Sequence, residues 1–520
     1  MIKKVDITLI VLTFIAAVYI QGYRIGDEQI KIWDEASSAQ NSVEMLSNKS
    51  FWLVRRNCEP EHYDVKPPVN IWLKIISFKF FGINEFSVRF PTIAAFWLLT
   101  LLFVFYSVKV FRSYTIAWLI ILIMISCRNF MGGHVARHGD PDVLLTFFVA
   151  IYVFSYFLLI EKYPVNFKKN FIVFSSALTL AVYTKSIQGL APVAGLATYT
   201  IIVKNGRKML INYKTWYFIA LTVFMVLFYY VTRNIFDKGY IKAVLSMDLG
   251  LLSDYPGNIK YPEFSYYWKT VLLYDMRLSG INVFHLTFPL SIFAYFITKE
   301  EIKKRFILFC FIGTLVFLLG HSCSVTKNEW YIVPIYVFLW PLLALTYYEI
   351  IRWGMNNIKM KALRLGFASL LLGAILFYGG VRAVKVFKHN YLALDPSINL
   401  YVLEREGRFI RDVKTHMPNL NNISVLAEEP HRQMFFYARK YIFEDSTSFK
   451  FYRNVTPTLL GDTLIISRGR LQDEFDNMFH STVLFNDDYS RLHVVDSLKV
   501  AVDSFSTKSE SPLILCQERK

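Results

Sequence analysis

Read for hydrophobicity alone, the chain alternates long apolar runs with short charged links. A membrane-spanning helix needs about 20 mostly apolar residues. Runs of that kind fall near 6–21, 88–108, 114–131, 143–160, 171–184, 187–203, 215–232, 283–298, 306–320, 330–350 and 365–380. The pattern predicts eleven to thirteen spans, with the fifth and sixth runs the shortest. Two longer polar stretches interrupt it: residues 22–87, with amphipathic pieces of their own, and residues 233–282, rich in Tyr, Pro and Asp. Beyond about residue 385 the long apolar runs stop. There ISVLAE, KYIFED, DTLIIS and LHVVDSLKVAV have strand character and EEPHRQMFFYARK has helical character, which predicts a small mixed α/β domain. The expected fold class is a polytopic α-helical membrane protein, residues 1–384, followed by a soluble domain, residues 385–520.

Composition agrees. Of 520 residues, 54% are hydrophobic and 19% charged, against about 25% charged in an ordinary soluble domain. The net charge of +17 raises nucleic acid as a partner, but the basic residues sit in links between apolar runs. Lys162, Lys168 and Lys169, then Lys204, Arg207 and Lys208, then Lys303, Lys304 and Arg305 follow the positive-inside rule instead. With the MIKK start on the same side, an odd number of spans sends residues 385–520 and both long loops across the membrane. That start lacks a small-x-small cleavage site, so it reads as an uncleaved first span. The five cysteines show neither metal-knuckle nor disulfide-framework spacing, and free thiols are expected.

Ionisable residues concentrate on the side opposite the basic links. WDEASS opens an apparent amphipathic helix with Asp34 and Glu35. Such a pair serves as a general base, holds a cation or caps the helix. In YDVKPPVN, Lys66 precedes two prolines that fix its direction at headgroup level, suiting either a phosphate or a snorkelling interfacial lysine. HVARHGDPD places His134, Arg137, His138, Asp140 and Asp142 between two hydrophobic walls. The uncharged run after it gives a helix of about 27 Å, nearly the hydrocarbon thickness. The loop therefore belongs at the membrane edge or in a wet cavity, because a charge at the bilayer centre costs roughly 2.5–3.5 kcal/mol. The two histidines read as polar contacts rather than metal ligands, and no metal or other cofactor is expected.

Taken in order, DE after the first span, KPP, FGINEFSVRFP, ARHGDPDVLLTFF, YTKSIQGLAPV and KNEWYIVPIYVFLWPLLAL resemble the polyprenyl-phosphate-dependent membrane glycosyltransferases. The similarity is greatest to the lipid A aminoarabinose transferases and more distant to the protein O-mannosyltransferases. It implies the type-C glycosyltransferase fold, a sugar donor carried on polyprenyl phosphate, and active-site loops on the periplasmic side of a bacterial inner membrane. By position, Asp34 and Asp142 match the family's two active-site carboxylates, and Lys66 and Lys185 its basic residues. Departures are Val65 for a glutamate, Ser37 for an arginine and Ser186 for the glycine of Thr-Lys-Gly. They bear on which sugar is used rather than on the reaction class.

Phosphate is already a competent leaving group, so such an enzyme must neutralise it, align an acceptor hydroxyl and help remove its proton. Asp34 is expected as the general base and Asp142 as its partner or orienting carboxylate. Glu35, Lys66, Arg137, His138, Asp140, Lys185, Arg277, Lys327 and Tyr331 are expected to bind substrate, Arg277 as a second phosphate contact. Arg89 reads as an anchor to headgroups or to a neighbouring loop. Trp330 and Tyr331 fit an aromatic belt as well as a sugar platform, and Lys327 with Glu329 fits a site as well as an interface. The acceptor is lipid A or another envelope glycan, with protein as the alternative. A transporter or lipid flippase, the rival from another class, would bury its charges near the midplane, whereas here they sit at span ends.

Overall fold

The computed structural model describes residues 2–132, 134–248, 263–273, 282–324, 327–392, 402–499 and 512–515. The chain forms two compact units. One comprises Met1–Ile25, Val65–Asn70 and Pro91–Leu394, the other Gly26–Asp64, Ile71–Phe90 and Asp395–Lys520. The first long loop thus belongs with the C-terminal region, which a boundary at residue 384 does not anticipate. The reason lies in the amphipathic helix Asp34–Ser47. Its Ala36, Ala39 and Val43 share one core with Phe409, Val425, Phe436 and Phe451. A face of that kind needs a cover, and local periodicity does not say which one.

In the membrane unit all eleven predicted runs carry helix. Among the described residues, seven helices are long and apolar enough to cross a bilayer: Lys4–Gly22, Glu85–Lys109, Asp142–Glu161, Phe167–Leu190, Tyr213–Phe236, Glu329–Asn357 and Lys361–Asn390. Tyr114–Ile125 and Val193–Ile202 are shorter apolar helices. The predicted 283–298 run divides into Val283–Leu286 and Leu290–Ile297, with Pro289 at the second helix's N-cap, where its missing N–H does no harm. Aromatic residues fill the interior: Trp340 stacks on Tyr336 at 4.7 Å and meets Phe130 edge-on at 4.9 Å. Gly195 and Gly313 let the helices Val193–Ile202 and Glu301–Ser322 approach closely, since a Cβ on Gly195 would lie 3.0 Å from the Gly313 Cα.

The second unit holds a short hairpin, β1 (Arg55–Arg56) and β2 (Glu59–Pro60), and a six-stranded sheet. The sheet strands are β3 (Asn422–Leu426), β4 (Ser448–Tyr452), β5 (Thr463–Ser467), β6 (Phe479–Asn486), β7 (Ser490–Leu498) and β8 (Leu513–Ile514). Their order is β6-β7-β5-β3-β4-β8, with β3 parallel to both β4 and β5 and the remaining pairs antiparallel. The mixed α/β expectation holds, except that KYIFED, expected as a strand, is the last part of the helix Arg432–Asp445, whose core-facing side continues into it. Central β3 reads as a buried run, as a strand covered on both faces should.

One cysteine expectation fails: Cys58 is disulfide-bonded, whereas Cys127, Cys310 and Cys323 are free. Pairing follows Cα separation in the fold, and spacing along the chain does not encode it.

Glu406, on the helix Val402–His416, hydrogen-bonds Ser467, but burial dominates and pushes its carboxyl from 4.5 up to about 7. The folded state then holds a proton that the unfolded chain releases near pH 4.5. This contribution to stability is full below the unfolded value and declines as pH rises through about 7. Unfolding of the intact protein, followed from pH 4.5 to 8 beside Glu406→Gln, should show a steeper loss of stability with pH in the parent. Parallel curves would refute the assignment.

Candidate active site

Within the membrane unit, Asp142 is the first residue of the helix Asp142–Glu161 and Lys185 the last of the helix Phe167–Lys185. An acidic residue at a helix N-terminus and a basic one at a C-terminus each oppose the local dipole. Because the chain turns back after Asp142–Glu161, these two ends meet. Lys185 Nζ donates to Asp142 Oδ1 at 2.6 Å and to Oδ2 at 2.8 Å. Both residues are buried. Tyr331 lies beside the pair, its ring centroid 5.8 Å from Lys185 Nζ.

Ser186, which stands where the family has glycine, has φ +51°. That left-handed region explains a preference for glycine. Here the serine hydroxyl shares a 3.0 Å hydrogen bond with the Tyr230 hydroxyl. Tyr230 stacks on Tyr240, and Tyr240 donates its hydroxyl to the Val65 carbonyl at 2.7 Å. The guanidinium of Arg233 lies 3.8 Å from the Tyr240 ring centroid. The Val65 carbonyl, next to half-buried Lys66, is thereby held by the first residue of the helix Tyr240–Met247, which packs beside the Tyr213–Phe236 span. Sequence reasoning missed Arg233 and Tyr240. A lone arginine at the end of an apolar run was the available signal.

The HVARHGDPD loop is folded onto itself. His134, in the left-handed region at φ +71°, donates its backbone N–H to His138 Nδ1 at 2.8 Å. Its ring stacks on Trp330 at 4.7 Å. Asp140 Oδ2 lies 3.6 Å from His134 Nδ1 and 3.9 Å from His138 Nδ1. Among the described residues, His134, His138 and Asp140 bring one ligand atom each within 4.8 Å of one another. Two imidazoles and a carboxylate suit a divalent transition ion. Since His138 Nδ1 already accepts the His134 N–H, a metal on that nitrogen would have to displace a backbone hydrogen bond.

Arg137 serves to hold the loop in place. Its guanidinium donates to the carbonyls of Gln21 at 2.8 Å and Tyr23 at 3.0 Å, closing the end of the helix Ile2–Gly22. Lys327 is buried and bonded to the Ser324 carbonyl. Arg277 lies outside the described residues.

In the second unit, Asp34 opens the helix Asp34–Ser47 and is half-buried. Trp33, not Asp34, occupies the N-cap, with φ +72° and no side-chain cap. Glu35 is buried and bound in bidentate fashion by Arg89, Nε to Oε1 at 2.7 Å and Nη2 to Oε2 at 2.9 Å. The backbone N–H of Lys31 adds a third bond to Glu35 at 2.7 Å. Arg89 also donates to the Glu28 and Gln29 carbonyls at 2.6 and 2.7 Å. It anchors the loop that leads into Asp34, one of the two roles expected of it. Glu44 is a further fully buried acid, bound by the Asn57 N–H at 2.9 Å and Arg439 at 3.2 Å.

A family model described as dolichyl-phosphate-mannose-protein mannosyltransferase matches residues 65–231. An uncharacterized protein of Aquifex aeolicus is 24% identical over 364 residues, 64% of this chain and 68% of that one. An undecaprenyl phosphate-alpha-4-amino-4-deoxy-L-arabinose arabinosyl transferase of Enterobacter sp. (strain 638) is 28% identical over 180 residues. That match spans 34% of this chain and 32% of the transferase, so about a third of each is compared. Among solved structures, ArnT from Cupriavidus metallidurans bound to undecaprenyl phosphate superposes with a TM-score of 0.66 at 14% identity, covering 93% of this chain and 97% of that one. The archaeal oligosaccharyltransferase AglB from Archaeoglobus fulgidus, in complex with an inhibitory peptide and a dolichol-phosphate, gives 0.51 at 12% identity over 84% of this chain and 64% of that one. With this fold, the chain is an integral membrane protein of the type-C glycosyltransferase fold, and its residues 65–231 are similar to the dolichyl-phosphate-mannose-protein mannosyltransferases.

Proposed function

We propose that the protein is an inverting glycosyltransferase that moves a sugar from a polyprenyl-phosphate donor to an envelope acceptor, lipid A or another glycan. The observation that carries this reading is the buried Asp142–Lys185 pair, set at two helix ends in the unit that also holds Lys66. Lysines at that depth stabilise charge growing on a departing phosphate. The acceptor oxygen attacks the anomeric carbon opposite the phosphate, and the carbon–oxygen bond to phosphate breaks. The bonding pair leaves on the phosphate oxygen, giving polyprenyl phosphate. The hydroxyl proton passes to a carboxylate, for which Asp34 is the candidate base. Asp142 keeps Lys185 in place. The second unit is assigned to the periplasm, and the Cys58 disulfide in it supports an oxidising compartment.

Asp34→Asn should lower transfer by about 10²–10⁴-fold, the usual contribution of a general base, with donor binding retained. Mass spectrometry of envelope lipids and glycans from a deletion strain, complemented by parent or variant, reads both the loss and the acceptor. An unchanged glycan profile on deletion, or full complementation by the variant, would overturn the reading. Sugar missing from protein alone would move the acceptor to the protein class.

A further inference from the structure

The soluble sheet has a topological switch point. From β3 the chain leaves through the helix Arg432–Asp445 to β4 on one side. From β5 it leaves through the helix Arg470–Met478 to β6 and β7 on the other. The neighbouring parallel strands β3 and β5 therefore send their connections in opposite directions, and a crevice opens beyond their carboxyl ends. Open α/β sheets take ligands at such a crevice. Here it is a cavity of about 440 Å³, between the segments that follow the two strands. That lies within the size range of small-molecule sites, about 300–1,000 Å³.

The lining narrows the ligand's chemistry. Leu426 and Leu471 are buried and supply an apolar floor. Glu406 and Ser467 form a hydrogen-bonded polar wall. Around the mouth, Glu428 pairs with Arg470 at 3.0 Å, and Glu429 and Arg468 add one charge of each sign. A mouth with its acids and arginines balanced favours neither an anion nor a cation. It supplies acceptors and donors in equal measure, which a hydroxyl-rich ligand uses together: its hydroxyls donate to carboxylates and accept from guanidinium groups. The ring C–H face of a sugar suits the leucine floor. We infer that this crevice binds a neutral mono- or disaccharide unit, the glycan portion of the acceptor.

This rests on the glycosyltransferase reading but is tested apart from it, by binding without donor. Full-length protein in nanodiscs is titrated with maltose, lactose and N,N′-diacetylchitobiose by saturation-transfer NMR, with inorganic phosphate as competitor. At least one disaccharide should saturate. The rim variant Glu429→Ala/Arg468→Ala, which removes only exposed side chains, should weaken it by about tenfold or more, the cost of losing charge-assisted hydrogen bonds. Phosphate should not compete. Failure of all three sugars to saturate, equal binding by the rim variant, or displacement by phosphate each overturns the inference. A parent protein that binds sugar yet transfers none from polyprenyl phosphate would instead refute the proposed reaction and leave the crevice standing.

Discussion

Replacing Arg89 by Met is expected to destabilise the second unit by about 3–5 kcal/mol, the usual cost of breaking a buried ion pair from one side. The guanidinium is fully buried and donates two hydrogen bonds to Glu35 and one each to the Glu28 and Gln29 carbonyls. Without it, the Glu35 carboxylate stays buried with the Lys31 N–H at 2.7 Å, and two loop carbonyls lose their donor. Arg89→Lys should recover little, because an ammonium cannot bridge a carboxylate and two carbonyls with the guanidinium's planar fork. The double variant Arg89→Met/Glu35→Met should lose less than the sum of the singles, since it strands no charge. Thermal unfolding of the purified protein checks all four. A single variant as stable as the parent would show that the pair does not hold the loop. Transfer should fall with it, because the loop carries the chain into Asp34.

The second large effect concerns Asp142 and Lys185. Asp142→Asn leaves the buried Lys185 ammonium with an amide in place of its bidentate carboxylate partner. Lys185→Met takes the ammonium away from the buried Asp142 carboxylate. Each single variant should lose stability in the range of about 3–5 kcal/mol for a broken buried pair, and transfer by about 10²–10³-fold, typical of losing one preorganised charge. The double variant Asp142→Asn/Lys185→Met separates the two roles. It should regain much of the stability, because no buried charge remains, and none of the transfer. Recovery of both would make the pair a structural clamp only. Donor KM and kcat, measured on whichever variants fold, should show that Lys185 acts at phosphate departure through a loss in kcat.

Much of the molecule was legible along the chain. Twenty-residue apolar runs mark their helices because a bilayer leaves backbone groups no other partner, and each predicted run carries helix. Asp142 stood out for the same reason: a charge at the end of an apolar run is costly unless it has a role or a partner, whereas Lys185 was marked only by the resemblance of YTKSIQGLAPV to the Thr-Lys-Gly segment of the transferases. Lys74, set in VNIWLKIISF, shows the limit of that signal. It is completely buried and bonded to Ser38 in the second unit, a partner 36 positions away that spacing does not indicate.

The order of residues therefore carried one-dimensional chemistry: which segments prefer lipid, where charge collects, and which motifs follow one another in the order of the transferases they resemble. The partners were decided in three dimensions. Folding gave Glu35 to Arg89, Asp142 to Lys185, Arg137 to the end of the first helix, and the amphipathic loop helix to the core of the C-terminal region. It also set β3 beside β5 and so opened the crevice between them. Hydrophobic periodicity measures how much a segment gains by leaving water and says nothing of what it meets there. Ion pairs, disulfides and strand order depend on the separation of residues in space, and each of these joins positions tens to hundreds of residues apart.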